Sequence, residues 1–205
     1  MTRYLFLLLF SCLLMPSMAQ EKPSPLAPAE LDSFHDLALR RIRALEEYIQ
    51  TIADKKRSFE ERDDAIKNAL KLFVKGATIQ VSRSGPKSIK NGNGSVSQAI
   101  PIEKYFQRLK NLNYSKVKVT DFGAARLSDW VEQSDGSYQA TGMYFQAFKA
   151  WKWVNGKMVP AVDHKDRKKI DVDLRMREDP FYKENHWMVL FENITVDGVG
   201  ESASQ

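Results

Sequence analysis

Cysteine is nearly missing from this chain. Among 205 residues there is one, Cys12, and it lies inside the first apolar stretch. With that stretch removed, disulfides, thiol catalysis and cysteine zinc sites are excluded together. Histidine is sparse as well. His35, His164 and His186 are dispersed without a His-x-x-x-His spacing, so there is no local metal motif, and neither a metal nor a cofactor is expected. Ten glycines and eight prolines are too few for a collagen repeat, and 43% apolar residues are too many for a disordered chain. A formal net charge of +5 falls short of the concentrated basicity of a nucleic-acid binder, so nucleic acid is not expected as a partner. No specific catalytic signature occurs.

What is present begins with a leader. Met1-Thr2-Arg3 is a short basic head, residues 4–15 are almost wholly apolar, and Ser17 and Ala19 set small residues three and one before a cut. This is the Sec export pattern, which predicts a signal peptide over 1–19 and a periplasmic or extracellular protein. The apolar run is well short of the roughly 20 residues that span a bilayer as a helix, so no permanent membrane span is expected. A lipid-modified Cys12 is the rival reading. Phe10 is too bulky for the box before such a cysteine, and the apolar run continues through Leu13, Leu14 and Met15. Pro23, Pro25 and Pro28 make 20–28 an extended linker. One domain is expected over 29–197, followed by a flexible tail over 198–205.

Within that domain, Leu31, Phe34, Ala38, Ile42, Leu45, Ile49 and Ile52 recur in steps of three and four, which predicts a long amphipathic helix. Its other side holds Arg40, Arg41, Arg43, Glu46 and Glu47, a solvated face. Ser58 and Glu61 form a capping box that starts a second helix, with Phe59, Ala65, Ile66, Ala69, Leu70 and Phe73 on its buried side and Gly76 as its stop. Residues 78–81 read as a short strand, and 84–100, with Gly85-Pro86 and Asn91-Gly92-Asn93-Gly94, as a loop. Pro101 opens a third helix that buries Ile102, Tyr105, Phe106, Leu109 and Leu112. Strands follow over 116–122, 125–133, 137–154, 169–177 and 185–196, separated by turn signals such as Asp135-Gly136 and Asn155-Gly156. Helices first and an antiparallel meander last predict an α+β fold.

This order, together with Ile79-Gln80-Val81-Ser82, Tyr105-Phe106-Gln107-Arg108-Leu109, Thr141-Gly142-Met143-Tyr144-Phe145-Gln146-Ala147-Phe148 and the terminal Trp187-Met188-Val189-Leu190-Phe191-Glu192-Asn193-Ile194, resembles the NTF2-like (cystatin-like α+β roll) superfamily. The likeness is greatest to secreted members of unknown function in Gram-negative bacteria. It implies three N-terminal helices packed on a strongly curved, mainly antiparallel sheet, with a pocket between them. Relatives include isomerases, cyclases and binding proteins, so the fold does not choose a function.

Gln146, an amide inside an otherwise apolar strand, must find a partner or lose free energy on the order of 1–3 kcal/mol. It is the leading pocket candidate, with Tyr144, Tyr105 and Phe148 beside it and Tyr138 within the same expected lining. Asp121, at a strand end, is the nearest candidate for a general base. Ile170, Val172, Leu174 and Met176 should face the helices, leaving Asp171, Asp173, Arg175 and Arg177 as a solvated ladder. The basic run 164–169 reads as a solvated hairpin tip. Strand 137–154 is apolar on both parities, with Tyr144, Phe148 and Ala150 on one and Met143, Phe145, Ala147 and Trp151 on the other; helices can cover only one face, so a homodimer is expected to cover the second. The expected function is an exported, non-catalytic protein binding a small ligand or an envelope partner. The alternatives are an isomerase, cyclase or dehydratase using a pocket carboxylate, and an interaction module using the outer sheet face.

Overall fold

A computed structural model describes residues 24–81, 98–121, 125–178 and 183–200. The leader, Cys12, most of the 84–100 loop and the end of the tail lie outside the described residues. Helix α1 runs Pro28–Ala53 and α2 Phe59–Leu70. Strands β1 (Thr78–Val81) and β2 (Gln98–Pro101) precede α3 (Ile102–Lys110). Strands β3 (Lys116–Asp121), β4 (Arg126–Leu127) and β5 (Val131–Glu132) lead into the long β6 (Tyr138–Val154), β7 (Lys157–Glu178) and β8 (Asn185–Gly200).

The helix starts follow from their capping residues. Ser58 Oγ accepts from the Glu61 N–H at 3.1 Å, and the Glu61 carboxylate accepts from the Ser58 N–H at 2.8 Å, closing the box expected for α2. At α1, Glu30 accepts from the Ala27 N–H and Pro28 occupies the first turn. Helix α2 stops at Leu70, well before Gly76, whose φ of 87° instead turns the chain into β1. Phe59 is 63% exposed rather than buried, and its ring carries the Lys110 ammonium 3.1 Å from the centroid.

The sheet order is β2-β1-β8-β7-β6-β3, with β4 and β5 also paired to β6. Every pairing is antiparallel except β1 with β8. Register shifts at Ala150/Trp151, Arg167/Lys168 and Ile170/Val172 bend the three long strands. Ala38, Ile42, Leu45, Ile49 and Ile52 of α1 pack on Ile170, Val172, Leu174, Val189, Phe191 and Ile194 of the sheet, and Phe106 of α3 joins them. Three helices on one side of an open, mixed sheet make this the α+β roll that the resemblance implied.

Five further expectations need correction. Residues 98–100 are strand, because β2 pairs with β1. The segment 125–133 breaks into two short strands. Glu46 and Arg41 leave the solvated face of α1: Glu46 is buried, and the Arg41 guanidinium donates to the Val189 carbonyl. The run 164–169 is no hairpin tip. The tip is Asn155-Gly156, where φ values of 48° and 75° suit the turn, and 164–169 lies mid-strand in β7. Of the ladder face, Asp173 is buried, with Arg177 Nη2 2.9 Å and Arg175 Nη2 3.5 Å away. No described helix is long and apolar enough to cross a membrane.

Candidate functional site

Between α3, the β1–β2 edge and the concave side of β6 and β7 lies a cavity of about 220 Å³. Strand alternation puts residues two apart on the same wall. On β6 this wall shows Gln146 and Phe148, and on β7 it shows His164, Asp166 and Lys168. The ladder sets them in pairs: Phe148 opposite His164, Gln146 opposite Asp166, and the deeper Tyr144 opposite Lys168. Helix α3 contributes Tyr105 and Leu109, one turn apart, and Arg108 at the exposed rim. Val81, Ile100 and Leu112 complete the apolar part.

Inside, charge is held by pairing. Lys168 Nζ sits 3.0 Å from Asp166 Oδ2, and the two side chains are only 4% and 5% exposed. Lys168 also donates to the Gln80 carbonyl at 3.3 Å, tying β7 to β1. Burial pulls the Lys168 ammonium below its ordinary pKa, with Asp166 opposing. His164 stacks on Phe148, with ring centres 5.3 Å apart and planes 25° from parallel, and its Nε2 stands 3.7 Å from Asp166 Oδ2. That is too long for a hydrogen bond. Burial lowers the His164 pKa more than Asp166 raises it, so the ring is neutral at pH 7. Its buried Nδ1 has no hydrogen-bond partner among the described residues. The Tyr105 hydroxyl is driven far above its ordinary value, by burial first and the Asp166 charge second, and remains a proton donor.

The residues expected from the sequence fall into three groups. Gln146, Tyr105 and Phe148 stand on the cavity wall. Tyr144 lies fully buried, outside the lining; its hydroxyl is raised by burial, then by the charges of Tyr105, Glu46 and Asp166. Asp121 ends β3 in register with Gln146, and its side chain lies outside the described residues. Tyr138 is far from the cavity in function, since its hydroxyl accepts from the Leu26 N–H at 3.0 Å and its ring meets Trp187. Arg108, His164, Asp166 and Lys168 were not anticipated. The signal was the period-two spacing of 164, 166 and 168, hidden in a run read as uniformly charged. Among the described residues, no group of three or more His, Cys, Asp or Glu side chains is placed to hold a metal.

No family model matches the chain, and neither does any curated protein. Solved structures do show likeness. The beta subunit of a proposed aromatic-ring-hydroxylating dioxygenase from Novosphingobium aromaticivorans is 14% identical with a TM-score of 0.42, over 78% of this chain and 88% of its own. Aln2 from a Streptomyces species is 10% identical with a TM-score of 0.37, over 84% of this chain and 93% of its own. At these values nothing about substrate or partner passes from either protein to this one.

Proposed function

We propose that this is an exported binding protein whose cavity takes a small, mainly apolar molecule carrying one anionic group such as a carboxylate. The leader supports export. The observation that carries the ligand class is the desolvated Asp166–Lys168 pair, on the same wall as Phe148 in a cavity otherwise lined by Val81, Ile100, Leu109 and Leu112. Few, fixed polar groups in an apolar cleft give a ligand its orientation. Lys168 and Arg108 against Asp166 leave the cavity net positive, and Gln146 adds an amide.

Thermal shift and calorimetric titration with small monocarboxylates and their neutral amides test this reading. The acids should raise the melting temperature where the amides do not. Arg108→Gln, at the exposed rim, should weaken the acids about tenfold, the size of one charge-assisted hydrogen bond. Lys168→Met suits the test poorly because it strands a buried carboxylate. Equal shifts from acids and amides, or none from either, would overturn the proposed ligand class.

One observation favours a second reading. His164 beside Asp166, with the protonated Tyr105 hydroxyl of α3 lining the same cavity, is a set able to move protons, as an isomerase, cyclase or dehydratase would need. Against it, the Asp166 oxygen nearest His164 is already engaged by Lys168. Solvent deuterium entering a C–H position of a bound acid, and ceasing in His164→Phe, would move the assignment to an enzyme.

A further inference from the structure

The register of the long strands isolates one piece of the molecule. The described ladder from β3 ends at the Lys116–Trp151 pair, and that from β8 ends at the Gly200–Lys165 pair. From Lys152 to Val159 the ladder of β6 and β7 therefore runs only between the two of them among the described residues, with the Trp153 N–H at its base donating to Ser115 Oγ at 3.1 Å. This two-stranded ribbon runs past the body of the sheet, and such a ribbon gains little stability from its own contacts.

Its composition is unusual for a ribbon in water. Trp153, Val154, Met158 and Val159 are 61%, 48%, 41% and 37% exposed. Trp153 pairs with Met158, so both lie on one face, while Val154 and Val159, paired with Lys157 and Lys152, lie on the other. Apolar groups on both faces of a tip are not covered by a partner laid flat against one side. Immersion of the whole tip covers both. Around it stand Lys152 and Lys157 on the ribbon, with Lys116 and Lys149 at its base. Lys116 lies 4.9 Å above the Trp151 ring and Lys152 5.3 Å from that of Tyr114, while Lys149 meets Asp163 at 2.9 Å. No aspartate or glutamate occurs between Asp135 and Asp163.

We propose that the β6–β7 hairpin tip docks the protein on an anionic lipid surface, with Trp153, Val154, Met158 and Val159 entering the headgroup boundary and the lysines engaging lipid phosphates. Tryptophan favours that boundary, and lysine stems lie along apolar surface while their ammonium groups reach anions. A second copy fits less well, because a tip-to-tip contact would bring two sets of lysines together. The proposal is independent of what the cavity binds.

Cosedimentation tests it, using the chain from Gln20, which carries every described element, and vesicles of phosphatidylcholine alone or mixed equally with phosphatidylglycerol. The protein should pellet with the mixed vesicles, stay in solution with the neutral ones, and be released by salt. Lys152→Gln and Lys157→Gln should each lower binding roughly fivefold, as expected for one basic residue near such a surface. Trp153→Ser should lower it further, with an unchanged melting temperature showing an intact fold. Three results would overturn the proposal: no pelleting with the anionic vesicles, equal pelleting with both kinds, or variants that bind like the parent. Light scattering that shows a dimer abolished by Trp153→Ser would do the same, assigning the tip to self-association.

Discussion

Asp166 and Lys168 carry opposite charges into a place with almost no water, and each serves as the other's solvent. His164 shares the wall but resolves its burial differently, by losing its charge. The sign of the consequence is fixed. Its pKa in the fold is lowered from the ordinary 6.5 by burial, so between those two values the unfolded chain binds a proton that the folded chain does not. Stability is full above 6.5 and falls as pH drops through that window, by about 1.4 kcal/mol for each unit of lowering. His164→Phe keeps the stack on Phe148 and removes the titration. Urea unfolding from neutral pH down through the histidine range should show the parent losing stability that the variant retains; parallel profiles would mean the imidazole is not the neutral buried group. Comparison with the variant is needed because Glu192 acts in the opposite direction, its carboxyl raised by burial and then by the charges of Asp173 and Asp171.

Between elements, the tightest constraint lies where α1 crosses β6. A methyl group added at Gly142 would stand 2.5 Å from Ile170 Cγ2 and 2.9 Å from Ile42 Cδ1. Ile170 is branched at Cβ and held in the core, so it has little room to give. Gly142→Ala should cost roughly 1–3 kcal/mol by overpacking. Adding Ile42→Val removes one of the two clashing groups, so the double variant should lose less than the two single losses added together; strict additivity in denaturant melts would contradict the close approach. Local chemistry of this kind decided which elements were readable. The Ser58–Glu61 box, the α1 stripe and the Asn155-Gly156 turn act within a few residues, and each was legible. Glu46, Phe59 and residues 157–168 were not, because their surroundings come from distant chain: Phe59 stays exposed and meets Lys110 of α3, and β7 divides its charges between cavity and solvent, leaving no apolar alternation to read.

At the scale of the whole molecule, the candidate site depends on a register that spans both long strands. Counting back from Asn155-Gly156 without interruption would set Gln146 opposite Lys165 and Phe148 opposite Asp163. The shift at Ala150/Trp151 moves the ladder by one, and Asp166 and His164 become the partners. A one-residue slip exchanges the two faces of a strand, so the cavity's charged groups were out of reach of sequence although Gln146, Phe148 and Tyr105 were not. The same ladder predicts how protection is distributed. The middle of β7 is paired on both sides by long strands and backed by Ile170, Val172 and Leu174 in the core, whereas 152–159 are paired on one side among the described residues. Amide exchange should therefore be slowest around 168–174, approaching the global unfolding limit, and fast at 152–159. The contrast should hold at every protein concentration. Slow exchange at the tip that appears only as concentration rises would mean that a second copy completes the ribbon, and the lysines around Trp153 would then be facing protein.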